Sequence, residues 1–458
     1  MKSNANRESV LQKNQSYGTE ITDLTVEGNG VCHIQGMTVF VPHTAPGDQV
    51  RVKIVKVCKQ YAFGIIEEME TPASCRIESD CPYPACGGCT FRHISYAAEL
   101  RWKEKLVQDA FHRIGKLHPE FLPIVGGKQR SHYRNKAQYP VAVEADGKPV
   151  CGFYAKRSHR VIPVRDCQLQ PVLFQQVLDV LQYVAEKSIS VYQEETGTGI
   201  LRHVYLRQGW HTGELMVCLV VRKPIERQLK GLIERLTTAF PQVKSIVMNC
   251  NPARTNVILG EKNVLLWGSE TITDILCGNR ISLSPHAFYQ VNTEQAERLY
   301  GIAKEFAALQ GTERLLDLYC GAGTIGLSMA DAAASVLGVE IVPQAVENAK
   351  ENARQSGISN AEFLCGDAGT VAQKLEQEQL QPDVIVVDPP RKGCDQNALD
   401  AMAKMQPERI VMISCHPATA ARDCAVLQEM GYVVQKVQPV DLFPGTGHVE
   451  CVVLMSRK

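Results

Sequence analysis

The chain has 458 residues, of which 45% are hydrophobic and 21% charged, and its formal net charge is zero. This apolar share is enough for a packed core, which excludes an intrinsically disordered chain, and the length predicts about three domains. No apolar run could span a membrane, and the polar residues 1–16 lack the apolar core of a signal peptide. We therefore expect a cytoplasmic protein, in which seventeen cysteines indicate metal binding or catalysis rather than disulfides.

The zero net charge hides a basic stretch at residues 92–160. It contains fourteen Lys or Arg against six Asp or Glu, and aromatic residues are spread along it. Basic side chains contact phosphates, and aromatic faces stack on unpaired bases. By itself, such a stretch is more often a solvated surface above core aromatics, so it indicates RNA binding only together with other motifs.

The N-terminal part, residues 17–70, alternates apolar and polar residues between turns such as Gly28-Asn29-Gly30. Four or five short strands in about fifty residues predict a small barrel of the OB type, which often binds nucleic acid. The pattern resembles the TRAM domain of RNA-modifying enzymes, most clearly at Gly30, Gly36, Phe40 and residues 42–47. We place this TRAM-like β-barrel at residues 10–70.

Four cysteines follow within a short stretch: Cys75, Cys81, Cys86 and Cys89, the last two in a Cys-Gly-Gly-Cys motif. The motif brings two thiolates to one centre, and its glycines leave backbone N–H groups free for sulfur. A C-x4-C-x2-C group with a more distant fourth cysteine suits either zinc or a 4Fe-4S cluster. The fourth ligand is either the nearby Cys75 or Cys167, which would connect the site to the next domain.

The middle of the chain changes character twice. Residues 95–115 have the apolar spacing of a helix that stops at Gly115. Strand-like and helical stretches then mix, which indicates a central α+β domain at residues 71–270. From residue 313 strands and helices alternate. Seven strands with a closing hairpin predict a doubly wound α/β sheet in a third domain, residues 271–458.

The turn after the first strand of this sheet matches G-x-G-x-x-G at residues 321–326, and Glu340 ends the next strand. Glycines let a ligand approach the backbone, and the acid can bind ribose hydroxyls. The motif alone fits a dinucleotide or S-adenosylmethionine. Asp388 and the two prolines after it favour the methyl donor, because methyltransferases use a carboxylate and a rigid turn at this edge to frame the reacting base.

An apolar, β-branched run at residues 409–414 ends at Cys415, and Pro417 can open a helix. The thiol would then lie at a helix N-terminus on the carboxyl edge of the sheet, where open α/β sheets hold reactive groups. The positive helix end predicts a stabilised thiolate. A buried structural cysteine explains this stretch, taken alone, about equally well.

A cysteine and the carboxylate of Glu450 on neighbouring strands suit methylation of C5 of a pyrimidine. This carbon is too weak a nucleophile to attack a sulfonium, so a thiolate first adds at C6. After C5 has taken the methyl group, a base must remove the C5 proton so that the thiolate can leave. We assign the attack to Cys415 and the proton removal to Glu450, although Glu450 alone would read as a surface acid.

The combined motifs resemble those of bacterial 23S rRNA (uracil-5-)-methyltransferases over nearly the whole chain. Six stretches carry the resemblance: residues 81–89, 288–292, 317–323, 388–393, 414–419 and 447–450. The resemblance implies a class I, Rossmann-like catalytic domain with Cys415 as nucleophile and Glu450 as base. The residues that it implies for contact with S-adenosyl-L-methionine are Gln290, Tyr319, Glu340, Asp388, Thr324 and Asp367.

The resemblance further implies a 4Fe-4S cluster that serves folding and RNA binding. Its ligands would be Cys81, Cys86, Cys89 and Cys167. Cys81 and Cys86 are one residue closer together than is usual in the family, so Cys75 stays open as a ligand.

The same resemblance implies a central RNA-binding domain, a helix at residues 95–115 that packs on the catalytic domain, and 23S rRNA as the partner. It implies neither a membrane nor an obligate protein partner. Such an enzyme must take the target base out of its stack. Within the basic stretch, we expect Arg134, Lys136 and Arg157 to hold the opened RNA loop.

Four alternatives remain at this stage. A tRNA uridine could be the target instead of one in 23S rRNA. An N-methyltransferase would grip an amino group with Asp388 and the prolines after it, and would not need Cys415. A nicotinamide-dependent oxidoreductase with an iron–sulfur centre would reduce its cofactor and transfer no methyl group. A non-catalytic RNA-binding protein is disfavoured by the intact pair of Cys415 and Glu450.

Overall fold

The computed structural model describes residues 11–178 and 180–458, so residue 10, the expected start of the barrel, lies outside the described residues. The described chain forms two compact units. The first contains the described residues up to Pro82 together with Cys89–Leu106 and Gly445–His448, and the second contains Tyr83–Gly88, Val107–Pro444 and Val449–Lys458. The domain boundaries near residues 70 and 270 stay predictions. Nowhere in the described ranges does a helix have the length and apolar character needed to cross a membrane.

The first unit contains the predicted N-terminal β structure. Its strands β1 to β6 are Ser16–Glu20, Asp23–Leu24, Gly30–Ile34, Met37–Val41, Gln49–Val57 and Tyr61–Thr71. They form one sheet in the order β1-β5-β6-β4-β3-β2. Alternate residues point into its core, where Val39, Val52 and Ile54 are fully buried, as the period of two along a strand requires.

Helix α1 (Tyr96–Ala110) continues as a π-helical turn over Phe111–Gly115, which confirms the helix predicted at residues 95–115. The turn ends where Lys116 adopts a left-handed conformation. In the first unit, the indole of Trp102 lies against the ring of Phe91, with 4.8 Å between ring centroids. Its Nε1 donates a hydrogen bond to the carbonyl of Leu24, which anchors α1 to the β sheet.

The middle of the second unit holds strand β7 (Glu120–Phe121) and a seven-stranded sheet. The strands of this sheet, β8 to β14, are Lys136–Val143, Pro149–Tyr154, Val161–Pro163, Leu201–Gln208, Leu215–Val221, Val243–Cys250 and Lys262–Gly268. Their order is β10-β9-β8-β11-β12-β13-β14. The helices are α2 (Val172–Leu178), α3 (Leu181–Glu186) and α4 (Lys230–Ala239), the last preceded by a 3-10 turn. This mixture confirms the α+β character predicted for the region.

The C-terminal part begins with the hairpin β15–β16 and the helix α5, whose bounds are Ile272–Leu276, Asn279–Leu283 and Thr293–Ala307. The strands β17 to β23 are Arg314–Leu318, Ser335–Glu340, Ala361–Cys365, Val384–Val387, Arg409–Ser414, Tyr432–Val440 and Glu450–Arg457. The helices α6 to α10 are Thr324–Met329, Pro343–Gln355, Ala368–Gln377, Gln396–Met405 and Pro417–Glu429.

These strands form a sheet in the order β19-β18-β17-β20-β21-β23-β22-β7, in which β23 runs antiparallel to both neighbours. All seven predicted strands are present, with a doubly wound topology. The prediction missed the eighth strand, β7, because two residues are too few to show a periodic pattern. The fully buried β20 shows the continuous apolar run expected for a central parallel strand.

One hydrophobic cluster runs through the second unit across the predicted boundary at residue 270. It joins Tyr205 and Met216 of the seven-stranded sheet to Leu299 of α5 and Val384 of β20. At the far end of α1, Gly115 lies against α10, where an added Cβ would come within 2.8 Å of the Ala421 carbonyl oxygen. The central and C-terminal parts therefore share a core.

Candidate active site

Three of the predicted site residues lie side by side at the carboxyl edge of the second unit's parallel strands. Leu318 pairs in register with Val339 and with Val387, so the residues that follow these three also lie side by side. Those residues are Tyr319, Glu340 and Asp388. The strand order reverses between β17 and β20, and ligands bind at such a point in open α/β sheets.

The glycine turn after β17 is shaped for close approach of a ligand. Tyr319, Gly321 and Gly323 all have positive φ angles, of 62°, 56° and 78°. The amide of Gly321 donates to Glu340 Oε2 at 3.1 Å. A Cβ on Gly323 would come within 2.9 Å of the Phe363 ring, so this position requires glycine for space as well as conformation.

Glu340 is held by two backbone amides, one in the glycine turn and one just after its own strand. Besides the bond from Gly321, its Oε1 accepts from the amide of Val342 at 2.8 Å. Two backbone donors fix the carboxylate at the end of β18 while leaving acceptor lone pairs for ribose hydroxyls. This geometry fits the predicted ribose contact.

Asp317, to which the sequence analysis assigned no separate role, supports the turn from below. Its Oδ2 accepts from the amide of Gly326 at 2.8 Å, and its Oδ1 has no hydrogen-bond partner among the described residues. Burial, together with the charges of Asp388 and Glu340, raises the pKa of Asp317 to about 7. The carboxyl groups of Glu340 and Asp388 are therefore close enough to disfavour ionisation of Asp317 below the glycine turn.

Gln290 and Thr324 lie around the hydroxyl of Tyr300. That hydroxyl is 3.3 Å from Thr324 Oγ1, and the nearby Gln290 side chain opposes the rise that burial causes in the pKa of Tyr300. The Gln290 carbonyl accepts from Asn135 Nδ2 at 2.8 Å. Tyr300 and Asn135 were not predicted as site residues, since neither belongs to a motif that indicates chemistry.

Asp367 caps helix α8. Its Oδ1 accepts from both the amide and the hydroxyl of Thr370, each at 3.0 Å. Its negative charge contributes to the raised pKa of Tyr319, so the exposed carboxylate is close to the methyl-donor residues. A capping role explains this residue as well as a ligand contact does.

Cys415 lies where the sequence predicted, between the end of β21 and the start of α10. The following His416 caps α10 by accepting from the amide of Thr419. The predicted stabilisation of the thiolate is wrong. Burial raises the pKa of the half-buried thiol, and the nearby carboxylates of Glu450 and Asp388 raise it further. Desolvation and negative charge outweigh the helix terminus.

Glu450 is at the first position of β23, beside the end of β21. The register pairs Ser414 with Cys451, so Cys415 and Glu450 continue the two strands next to each other. Burial and the charge of Asp388 raise the pKa of Glu450 to about 8, and burial raises that of Asp388 to about 7. A thiol and two carboxyl groups, all with elevated pKa values, therefore meet in one place.

Arg391 is the residue near this group that the sequence analysis left without a role. Its guanidinium lies near Cys415 and Glu450 and lowers the pKa values of both, opposing the larger effects of burial. Its position directly after the two prolines was the available signal. A cation here can favour the charged forms that the chemistry needs.

The cysteines predicted to bind a cluster are all partly buried: Cys81, Cys86, Cys89 and Cys167. Within the described part of the chain, no group of three or more His, Cys, Asp or Glu side chains is arranged to hold a metal ion. Cys75, the alternative ligand, packs against an apolar cluster and points its thiol at the carbonyl oxygen of Pro46, 3.9 Å away.

The strand order, the glycine turn after β17 and the acid at the end of β18 define the class I S-adenosylmethionine-dependent methyltransferase fold. A family model described as tRNA (Uracil-5-)-methyltransferase matches residues 95–458, and a TRAM domain model matches residues 12–66. The chain belongs to this family of RNA (uracil-5-)-methyltransferases, enzymes that use S-adenosylmethionine. The predicted RNA (uracil-5-)-methyltransferase family, TRAM domain and enzyme class are confirmed.

Similar proteins cover the chain from end to end. An uncharacterized RNA methyltransferase of Halalkalibacterium halodurans is 45% identical over 455 residues, 99% of each chain. Another, of Bacillus cereus, is 45% identical over 450 residues, 98% of each chain. The crystal structure of Pyrococcus abyssi tRNA (uracil-54, C5)-methyltransferase in complex with S-adenosyl-L-homocysteine shares 25% identity. It aligns with a TM-score of 0.76 over 96% of this chain and 100% of that one.

Proposed function

We propose that this enzyme methylates C5 of a specific uridine through a covalent bond between Cys415 Sγ and C6, with Glu450 as the base. The observation that carries the proposal is the convergence of Cys415, Glu450 and Asp388 at the sheet edge that also holds the glycine turn. An N-methyltransferase would have no use for a thiol in this position.

Each side chain has a defined step. Cys415 gives its proton to solvent and attacks C6 as the thiolate, which moves the C5–C6 π electrons into an enolate and makes C5 nucleophilic. S-adenosylmethionine supplies the methyl group that C5 takes. Glu450, in its ionised form, then accepts the proton from C5. The electron pair left on C5 restores the double bond to C6, the C6–S bond breaks, and Cys415 leaves as the thiolate.

The methyl donor would be held on the glycine side of this edge. Glu340, fixed by two backbone amides, suits the ribose hydroxyls, and the positive-φ turn from Tyr319 to Gly323 suits close backbone contact. We further assign methyl-donor contacts to Gln290, Thr324 and Asp388. We assign a weaker contact to Asp367, because its side chain already caps α8.

The choice of RNA rests on two opposing observations. The TRAM domain combined with the cysteine group favours 23S rRNA by resemblance. The Pyrococcus abyssi neighbour, named for a tRNA uridine, favours tRNA. We propose 23S rRNA as the substrate and keep tRNA as the alternative.

The proposal can be tested by trapping the covalent intermediate. We expect a 23S rRNA transcript containing 5-fluorouridine, incubated with labelled S-adenosylmethionine, to form a complex with the protein that resists denaturation and carries the label. Fluorine on C5 cannot be removed as a proton by Glu450, so the adduct persists. A tRNA transcript containing 5-fluorouridine, run in parallel, decides between the two RNAs. Absence of a complex with both would contradict the proposed function.

We also propose that Cys81, Cys86, Cys89 and Cys167 hold a 4Fe-4S cluster. An all-thiol donor set suits iron–sulfur chemistry. The amide of Gly88 points at Cys86 Sγ, 3.4 Å away, as it would toward a cluster ligand. Within the second unit, the Tyr83 hydroxyl accepts hydrogen bonds from the amides of residues 165 and 166, just before Cys167. These two bonds support the inclusion of Cys167 among the cluster ligands.

Iron analysis of the protein purified without oxygen tests this assignment. We expect about four iron atoms per chain in the wild type and in Cys75→Ser, and loss of iron in Cys89→Ser and Cys167→Ser. Iron retained in Cys167→Ser but lost in Cys75→Ser would show that Cys75 is the fourth ligand. Iron content is measured independently of methyl transfer.

A further inference from the structure

A group of cationic side chains outside the chemistry described above lies on the seven-stranded sheet. Arg207 of β11 and Lys136 of β8 are directly opposite each other in register, so their side chains share one face. Arg207 is 1% exposed and its guanidinium donates to the carbonyls of Ser284 and Ala287, at 2.8 and 2.7 Å. His286 lies within the turn that this guanidinium grips.

Three side chains of this group, Arg134, Lys136 and Arg207, carry like charge. Burial lowers the pKa of Lys136 to about 8, and the two charges that lower it further are the guanidinium groups of Arg207 and Arg134. Burial and Arg207 also lower the pKa of His286. The Nε atoms of Arg134 and Arg207 are buried and lack a hydrogen-bond partner within the described residues. Clustered cations of this kind are unfavourable unless an anion compensates them.

The group lies beside the candidate active site. Asn135, between Arg134 and Lys136, donates to the carbonyl of Gln290 at 2.8 Å and to Thr293 Oγ1 at 2.9 Å. Its own amide donates to the carbonyl of Val291. The chain segment that carries two of the cations is thus fixed to the segment that carries a proposed methyl-donor contact.

We propose that Arg134, Lys136 and His286, with the buried charge of Arg207 behind them, bind a phosphate group of the RNA backbone next to the target uridine. This inference rests on the proposed function and adds a defined anchoring point to it. Backbone carbonyls hold Arg207 in place, so the site is organised before RNA arrives, and Lys136 and Arg134 can make charge-assisted hydrogen bonds to phosphate oxygens. The carboxylate of the methyl donor offers similar anionic chemistry, so the experiment must separate the two ligands.

The test compares Lys136→Gln with Lys136→Arg and with Lys244→Gln, a control that removes an exposed lysine elsewhere on the same sheet. Affinity for an RNA fragment is measured by fluorescence anisotropy at several salt concentrations, and affinity for S-adenosylmethionine by calorimetry. We expect Lys136→Gln to bind RNA about tenfold more weakly, with a salt dependence reduced by about one phosphate contact. The methyl-donor affinity of Lys136→Gln should stay within about twofold of wild type. The RNA affinities of Lys136→Arg and Lys244→Gln should also stay within about twofold of wild type.

Two outcomes would count against the site. Unchanged RNA affinity in Lys136→Gln would overturn it, as would a loss of methyl-donor affinity without a loss of RNA affinity. If Lys136→Gln fails to fold, the partly exposed Arg134→Gln replaces it and must show the same RNA-specific loss. A wild-type protein that binds no RNA would instead contradict the proposed function itself.

Discussion

Replacement of Cys415 with alanine is expected to reduce methyl transfer to uridine by at least about 10⁴-fold, because the acceptor carbon then has no route to the enolate that attacks the methyl group. The variant should still bind S-adenosylmethionine, since none of the proposed donor contacts is changed. Initial rates with labelled methyl donor and 23S rRNA transcript measure the effect. The 5-fluorouridine complex should be absent.

The exposed Cys365 provides a matched control on the same sheet. Cys365→Ala removes a thiol at the end of β19, outside the group formed by Cys415 and Glu450, and should retain wild-type rates. Undiminished turnover by Cys415→Ala would contradict the covalent mechanism and favour an N-methyltransferase.

Replacement of Glu450 with glutamine is expected to slow turnover by about 10²- to 10⁴-fold while leaving the first half of the reaction intact. Cys415 can still add to C6 and C5 can still take the methyl group, but no base removes the C5 proton. A methylated RNA–protein adduct should therefore accumulate with ordinary uridine. Denaturing gels with labelled methyl donor would reveal it, and Glu429→Gln at the exposed end of α10 serves as control.

The pH dependence follows from the same group. Glu450 works as a base only when ionised, and its pKa of about 8 means that it is mostly protonated at pH 7. The thiol of Cys415 also has a raised pKa. The wild-type rate at low substrate concentration should therefore rise from about pH 6 to above pH 8.

The Glu450→Gln variant should respond differently to pH. Loss of the nearby negative charge lowers the pKa of Cys415, so adduct should form at lower pH than in the wild type. A wild-type rate that falls with rising pH, or a variant that forms no adduct, would contradict these roles.

Local patterns were sufficient to predict much of this protein. The parallel strands are buried on both faces, so they appear as continuous apolar runs, and a turn with positive φ angles needs glycine at Gly321 and Gly323. Cys415 could be placed at a strand end because an apolar run stops there and a helix-opening proline follows. These features depend on a few adjacent residues, which is why they could be predicted before the fold was known.

Other features depend on residues that are distant in the chain, and they are visible only in the folded protein. The helix terminus beside Cys415 predicted a lowered pKa for its thiol. The pKa is raised instead, because folding buries the thiol beside Glu450 and Asp388. The effect of Arg391 on the nearby pKa values and the pairing of Lys136 with Arg207 likewise depend on residues that are far apart in the chain. No local sequence pattern predicts them. Burial and charge act through space, so their balance at a site is fixed only when the strands have assembled.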